Sequence, residues 1–364
     1  MIVPPASDQA AARLCDEGYA SLEAGRFEEA HALLVHAREL APGNPLVHYR
    51  LGLLFSDTGR PAEALGALDT SLRLQPDNAR AHNNRGSALQ LLGRVAEAEQ
   101  AFQRALDLSP ELELPYINLG HLLEEQGKVR QATELYERAI SRGLDPSLFS
   151  HYLAAASGEV TRRAPDRWVT ATFDNFAPTF DARLRSLGYN APRMLAEMVR
   201  SHFDETLDVL DLGCGTGQCG VSLAQQKRYL VGVDLSEKML GLAHALGIYD
   251  ELHLDEVHAW LRGSPAARFD LVVAADVFIY IGALEDLFRE TARNLRSRGW
   301  FAFSTEECES ADYTLLPTGR YAQSEAYIRR LADPAFTVVA ADPAIIRMES
   351  DKPLMGRLYL LQKR

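Results

Sequence analysis

The chain has 364 residues, 47% hydrophobic and 24% charged, a globular balance with length for two or three domains. No apolar run approaches the ~18 residues of a membrane span, and a net charge of -12 opposes sequence-independent attraction to nucleic acid phosphates. Cys15, Cys214, Cys219 and Cys308 form no C-x-x-C pair, so neither a zinc site nor a disulfide framework is indicated; Met1–Ala6 lacks a basic-then-apolar leader, and a cytoplasmic setting is expected.

The N-terminal part repeats. Gly18, Gly52, Gly86 and Gly120 stand 34 positions apart, as do Ala30, Ala64, Ala98 and Ala132. Gly25, Gly59, Gly93 and Gly127 form a second glycine series, and Pro42, Pro76 and Pro110 keep the same register. The first glycines and the alanines suit a close crossing of two helices; the second glycines suit the turn between them. This period of 34 residues resembles the tetratricopeptide repeat, a helix-turn-helix unit that stacks into an all-α solenoid. Asn44-Pro45 and Asp145-Pro146 read as N-caps with proline at the first helical position. Residues 1–157 are therefore expected to form the solenoid, closed by a capping helix from Asp145 to about Ser157. Its concave face would bind a protein or peptide through polar residues of the first helices: His48, His82, Asn83, Tyr116 and Asn118.

Residues 158–190 lose the repeat register and read as a connection. Within them Phe173, Phe176 and Phe180 form one apolar set, followed by an amphipathic stretch through Leu184 and Leu187. Tyr189 precedes a helix over 191–201.

The most informative segment is Asp208-Val-Leu-Asp-Leu-Gly-Cys-Gly-Thr-Gly-Gln-Cys-Gly220. An apolar strand pattern stops in alternating glycines, where the backbone can turn sharply and approach a ligand. Gly215 to Gly220 also satisfies the dinucleotide pattern G-x-G-x-x-G, a weak signal alone. Asp211, just ahead of the glycines, would repel a pyrophosphate and welcome a cation. A second strand pattern, Leu230-Val-Gly-Val-Asp234, ends in a carboxylate placed for ribose hydroxyls. Asp270 to Asp276 reads as the fourth strand, 285–296 as a helix and Trp300 to Thr305 as the fifth strand. Phe336–Ala340 and Arg357–Gln362 read as the last strand pair.

Asp211-Leu-Gly-Cys-Gly-Thr-Gly217 followed by Val231-Gly-Val-Asp-Leu-Ser236 resembles the first two motifs of class I S-adenosylmethionine (SAM)-dependent methyltransferases. The resemblance runs from about Trp168 to the C-terminus and implies a Rossmann-like α/β domain over residues 191–364, with a mostly parallel seven-stranded sheet. Residues 158–190 would then include a lid over the cofactor. The implied cofactor contacts are Asp211, Gly213, Cys214, Gly215, Gly217, Asp234, Leu235, Met239, Asp276 and Tyr189, with Asp255 or Glu256 at the adenine. The fourth strand ends Ala-Ala-Asp-Val-Phe-Ile-Tyr280 and lacks the Asn/Asp-Pro-Pro-aromatic tetrad of base and amide methylation. Tyr280, Tyr321 and Glu306, with His253, are the general-base candidates for an acceptor that must lose a proton. Arg320-Tyr-Ala-Gln-Ser324 resembles an Arg-Tyr-Ala-His-Ser element of bacterial predicted methyltransferases fused to these repeats, with Gln323 in the histidine's place. The expectation is a methyltransferase acting on a small molecule or a protein, without metal; the alternative is a non-catalytic repeat scaffold with a retained cofactor fold.

Overall fold

A computed structural model describes residues 6–177, 180–202, 205–309, 312–349 and 352–364. It divides into two units, Met1–Ser157 and Gly158–Arg364.

In the first unit the 34-residue register becomes antiparallel helix pairs: α1 (Ala6–Glu23) with α2 (Phe27–Leu40), α3 (Pro45–Asp57) with α4 (Pro61–Leu74), α5 (Ala79–Leu91) with α6 (Val95–Leu108), and α7 (Glu113–Glu125) with α8 (Val129–Ser141). Helix α9 (Pro146–Ser157) packs on α8 as the expected cap, its first N–H groups held by the Asp145 carboxylate. The reason for the first glycine series is steric. A Cβ at Gly52 would meet Leu68 Cγ at 2.6 Å, and one at Gly86 would meet the Phe102 ring at 2.5 Å. Ala30, Ala64, Ala98 and Ala132 are each 0% exposed on the second helices.

Three of the expected partner-binding residues are otherwise engaged. Nε2 of His48 donates to the Pro42 carbonyl (2.8 Å), Nε2 of His82 to the Pro76 carbonyl (2.9 Å) and the Tyr116 hydroxyl to the Pro110 carbonyl (3.2 Å). These side chains tie each first helix to the turn before it, which corrects their placement as ligand contacts. The asparagines differ. Asn118 Nδ2 donates to Asn83 Oδ1 (2.9 Å), Asn83 Nδ2 to Asn84 Oδ1 (3.2 Å) and Asn84 Nδ2 to the Tyr49 hydroxyl (3.2 Å), a ladder across α7, α5 and α3.

The second unit is α/β and takes in residues 158–190, which form helices α10 (Asp166–Phe176) and α11 (Phe180–Ser186). After α12 (Ala191–Arg200) come β1 (Leu207–Leu212), α13 (Gln218–Ser222), β2 (Lys227–Asp234), α14 (Glu237–Ala245), β3 (Glu251–Leu254), α15 (Val257–Gly263) and β4 (Phe269–Ala274). A 3-10 turn over Phe278–Tyr280 leads to α16 (Glu285–Asn294) and β5 (Leu295–Glu306). Then follow β6 (Tyr313–Leu315), β7 (Tyr321–Gln323), α17 (Glu325–Ala332), β8 (Phe336–Glu349) and β9 (Lys352–Lys363).

Seven strands form one sheet in the order β3-β2-β1-β4-β5-β9-β8, parallel from β3 to β5, with β9 antiparallel to both neighbours. Alternate side chains feed two cores. Leu210, Val231, Val272 and Phe301 pack with α15, α16 and α17; Val209, Leu230, Leu271 and Ala302 pack with α12 and α13. The strand order reverses between β1 and β4, and ligand crevices form outside the strand ends at such a point. Two strands run longer than expected. Strand β5 begins at Leu295, inside the span 285–296 expected as helix, and β8 extends to Glu349 because β9 pairs with it along its whole length.

Candidate functional site

A cavity of about 520 Å³ opens at that reversal, lined from the loops after β1, β2 and β4, from α10 and α11, and from β8. The loop after β1 forms its floor. Gly213 and Gly215 adopt φ +63° and +53°. A Cβ at Gly213 would strike Val277 Cγ2 at 2.6 Å, whereas Gly215 has nothing within 4 Å on that side, leaving backbone open to the cavity.

Asp234 closes the end of β2. Its Oδ2 accepts from Gly215 N and its Oδ1 from Ser236 N, both at 2.8 Å. A carboxylate has about four acceptor positions, so each oxygen keeps a lone pair beyond these backbone bonds. Glu256, at the N-terminus of α15, accepts from Ala259 N (3.0 Å) and pairs with His258 Nδ1 (2.8 Å); burial raises its pKa, but these partners prevail and hold it down to about 2.

The roof is aromatic. Phe173 of α10 lies 5.4 Å from the Tyr280 ring and meets Phe180 of α11 edge-on at 5.8 Å; Trp168, which does not line the cavity, supports Tyr280 at 5.8 Å. The side chain of Phe176, expected on the same face, lies outside the described residues.

One wall is ionic. Arg347 of β8, 4% exposed, donates Nη1 to Asp276 (2.7 Å), Nη2 to Glu306 (2.5 Å) and Nε to Glu349 (3.0 Å). Arg320 reaches Glu306 (3.2 Å) and Glu349 (2.5 Å). Burial raises the pKa of Asp276 and Glu306, and the two guanidiniums oppose that shift. Asp276 sits at φ +58°, a region that aspartate tolerates better than most side chains.

Of the residues singled out from the sequence, Gly213, Cys214, Gly215, Asp234, Leu235, Glu256, Asp276, Tyr189 and Tyr280 line the cavity. Others do not. Asp211 is buried beneath the floor with Oδ2 on the Tyr249 hydroxyl (2.7 Å), and burial, against that bond, pushes its pKa up to about 7. Gly217 caps α13, Met239 is core in α14, and Asp255 is exposed with its carboxylate turned to Glu256 N. Tyr321 is buried against Thr161 (2.5 Å), and His253 pairs with Glu251 (2.8 Å). Glu306 does not line the cavity but pairs with Arg320 and Arg347, which do. Gln323 is a brace: its Nε2 donates to the Phe278 and Ile281 carbonyls at 2.9 Å and holds the turn that presents Tyr280.

Sequence reading missed Arg347 and Glu349, which depend on distant strand pairing, and named Arg320 only as the first residue of the Arg-Tyr-Ala-Gln-Ser element. It also missed Asp174 and Asp181, for which a signal existed in the repeated dipeptide Phe173-Asp174 and Phe180-Asp181.

A methyltransferase domain family model matches residues 209–299, and tetratricopeptide repeat models match residues 15–69, 49–113 and 116–147. Human methyltransferase-like protein 27 is 33% identical over 118 residues, covering 31% of this chain and 46% of that protein. Malonyl-(acyl-carrier protein) O-methyltransferase of Priestia megaterium is 26% identical over 140 residues, covering 36% of this chain and 49% of that protein. The chain spans about half the length or less of the curated relatives it matches. Among solved structures, 1,6-didemethyltoxoflavin-N1-methyltransferase of Burkholderia thailandensis matches at 19% identity with a TM-score of 0.45, covering 56% of this chain and 92% of that one. The chain thus carries a methyltransferase domain behind tetratricopeptide repeats.

Proposed function

We propose that this chain transfers a methyl group from SAM to a small-molecule or protein acceptor, and that its repeats hold a protein or peptide partner. The observation that carries the reading is Asp234 in its cradle. It is a buried carboxylate fixed by two backbone N–H groups, with lone pairs left for a diol, beside backbone kept open at Gly215. That acceptor set suits the two hydroxyls of a ribose.

In this reading Gly213, Cys214, Gly215, Asp234, Leu235 and Glu256 hold the nucleoside side. Tyr189, Asp276 and Tyr280 face the methyl side, and Asp211 supports the floor from below. When bound, SAM supplies an electrophilic methyl group on a cationic sulfur. The chain supplies alignment and dryness: Phe173 and Phe180 exclude water, and Arg347 fixes the orientation of Asp276. Tyr280 is the general-base candidate that lines the cavity.

The asparagine ladder supports a partner on the repeats, because each amide retains donors or acceptors beyond its ladder bond and an extended backbone can use them. A cytoplasmic location belongs to the same proposal; all four cysteines are free, and no helix among the described residues is long and apolar enough to cross a membrane.

Calorimetry of the full chain with S-adenosylhomocysteine (SAH) and with NAD tests the cofactor. SAH is expected to bind and NAD not; the reverse sinks the reading. Asp234→Ala is expected to weaken SAH by about 100-fold or more, since it removes an acceptor of two charge-assisted hydrogen bonds. Affinity kept within a few-fold would show that Asp234 does not hold the ribose.

A further inference from the structure

The dipeptide Phe-Asp occurs at 173–174 and again at 180–181, once on α10 and once on α11. The two rings meet over the cavity that both line. The two carboxylates reach down to different loops. Asp181 Oδ1 accepts from Thr216 Oγ1 (2.7 Å) and Gln218 Nε2 (2.9 Å) after β1; Asp174 Oδ1 accepts from Ser236 Oγ (2.5 Å) after β2. These are the loops whose backbone holds Asp234. Gly215, beside Thr216, donates to its Oδ2, and Ser236 itself donates to its Oδ1. Helix capping does not explain the pair: Asp174 lies in the last turns of α10, and the bonded oxygen of Asp181 is turned to the loop rather than to its own helix.

We infer that Asp174 and Asp181 are positioning residues that latch α10 and α11 onto the two loops around Asp234, so that the cover and the cofactor carboxylate are held as one arrangement. The inference rests on the cofactor reading above. Each Phe-Asp copy thus gives one ring to the roof and one carboxylate to a latch. A hydroxyl or amide donating to a carboxylate is among the stronger polar contacts, worth about a tenfold effect when a ligand must wait for it to break. The consequence falls on residence time: SAH leaves only after a latch opens.

The test is the dissociation rate of SAH from the full-length protein, followed by stopped-flow tryptophan fluorescence, with the thermal transition of every variant measured alongside. Asp174→Ala and Asp181→Ala are each expected to speed SAH release by about tenfold. Asp181→Asn keeps an acceptor oxygen and is expected to stay within about threefold of wild type. Ser236→Ala added to Asp174→Ala should accelerate release less than it does alone, because the latch is already gone; the cycle separates this from the second role of Ser236, its bond to Met239 N. Alanine variants that lose SAH altogether while Asp181→Asn retains it support the latch equally. Unchanged rates in the alanine variants, equal damage from Asp181→Asn, or strict additivity with Ser236→Ala overturns the inference. Absence of SAH binding to the wild-type protein overturns the cofactor reading instead.

Discussion

Asp211 carries the cost of the site's construction. It lies in the interior at 1% exposure with its Oδ2 on the Tyr249 hydroxyl, and burial lifts its pKa from the ordinary aspartate range to about 7. The folded state therefore holds this proton more tightly than the unfolded chain does. Its contribution to stability is complete below the ordinary value of about 4 and is lost as pH rises through about 7. Asp211→Asn, which still accepts from Tyr249, should remove that decline. Relative to the variant, the wild-type second unit should weaken by on the order of a few kcal/mol between about pH 4 and pH 7. Urea unfolding at several pH values checks this. Trp168, Trp260 and Trp300 all lie in the second unit, so their fluorescence reports on that unit alone. A constant difference across the range would refute the assignment. The same residue marks a limit of sequence reading. The position of Asp211 ahead of the glycines was visible, but the Tyr249 ring that takes its carboxylate stands 38 residues away. Arg347 was less visible still. It meets Asp276 and Glu306 because β9 pairs with both β5 and β8, a register that no local pattern records.

Among the helices, the 34-residue register was legible because packing demands a small residue at every crossing, and that demand repeats in the sequence. Two glycines separate this demand from helix propensity. Gly86 of α5 faces the rigid Phe102 ring, whereas Gly66 of α4 has nothing within 4 Å of where a Cβ would stand. Alanine is the better helix former by about 1 kcal/mol at either position. Gly66→Ala should therefore stabilise the repeats by ~0.5–1 kcal/mol, and Gly86→Ala should cost ~1–3 kcal/mol as the crossing is forced apart. Thermal melts followed by far-UV circular dichroism should move in opposite directions, the tryptophan transition of the second unit serving as the internal control. Equal stabilisation by both would mean that the α5–α6 crossing is not tight. The turn-tying role of His48, His82 and Tyr116 was hidden for a related reason. A proline series and a polar series six residues later share the period, yet the bond between them uses a main-chain carbonyl that leaves no trace in residue identity.

At the scale of the chain, the two units divide the proposed labour in a way that truncation can separate. Every residue lining the cavity falls between Arg163 and Glu349, and the second unit encloses two apolar cores of its own. Residues 158–364 alone should therefore bind SAH within about twofold of the full chain, since a binding constant reflects the groups that touch the ligand and their immediate supports. A partner held by the repeats would add local concentration of the acceptor and leave the cofactor site as it is. Labelled SAM in lysate should then give a labelled protein band with the full chain, lost or much weakened with residues 158–364. If the acceptor is a small molecule, label in the low-mass fraction should survive the truncation. A truncated protein that folds, by its tryptophan transition, yet loses SAH would show that the repeats contribute to the cofactor site itself, and the division of labour proposed for this chain would fail.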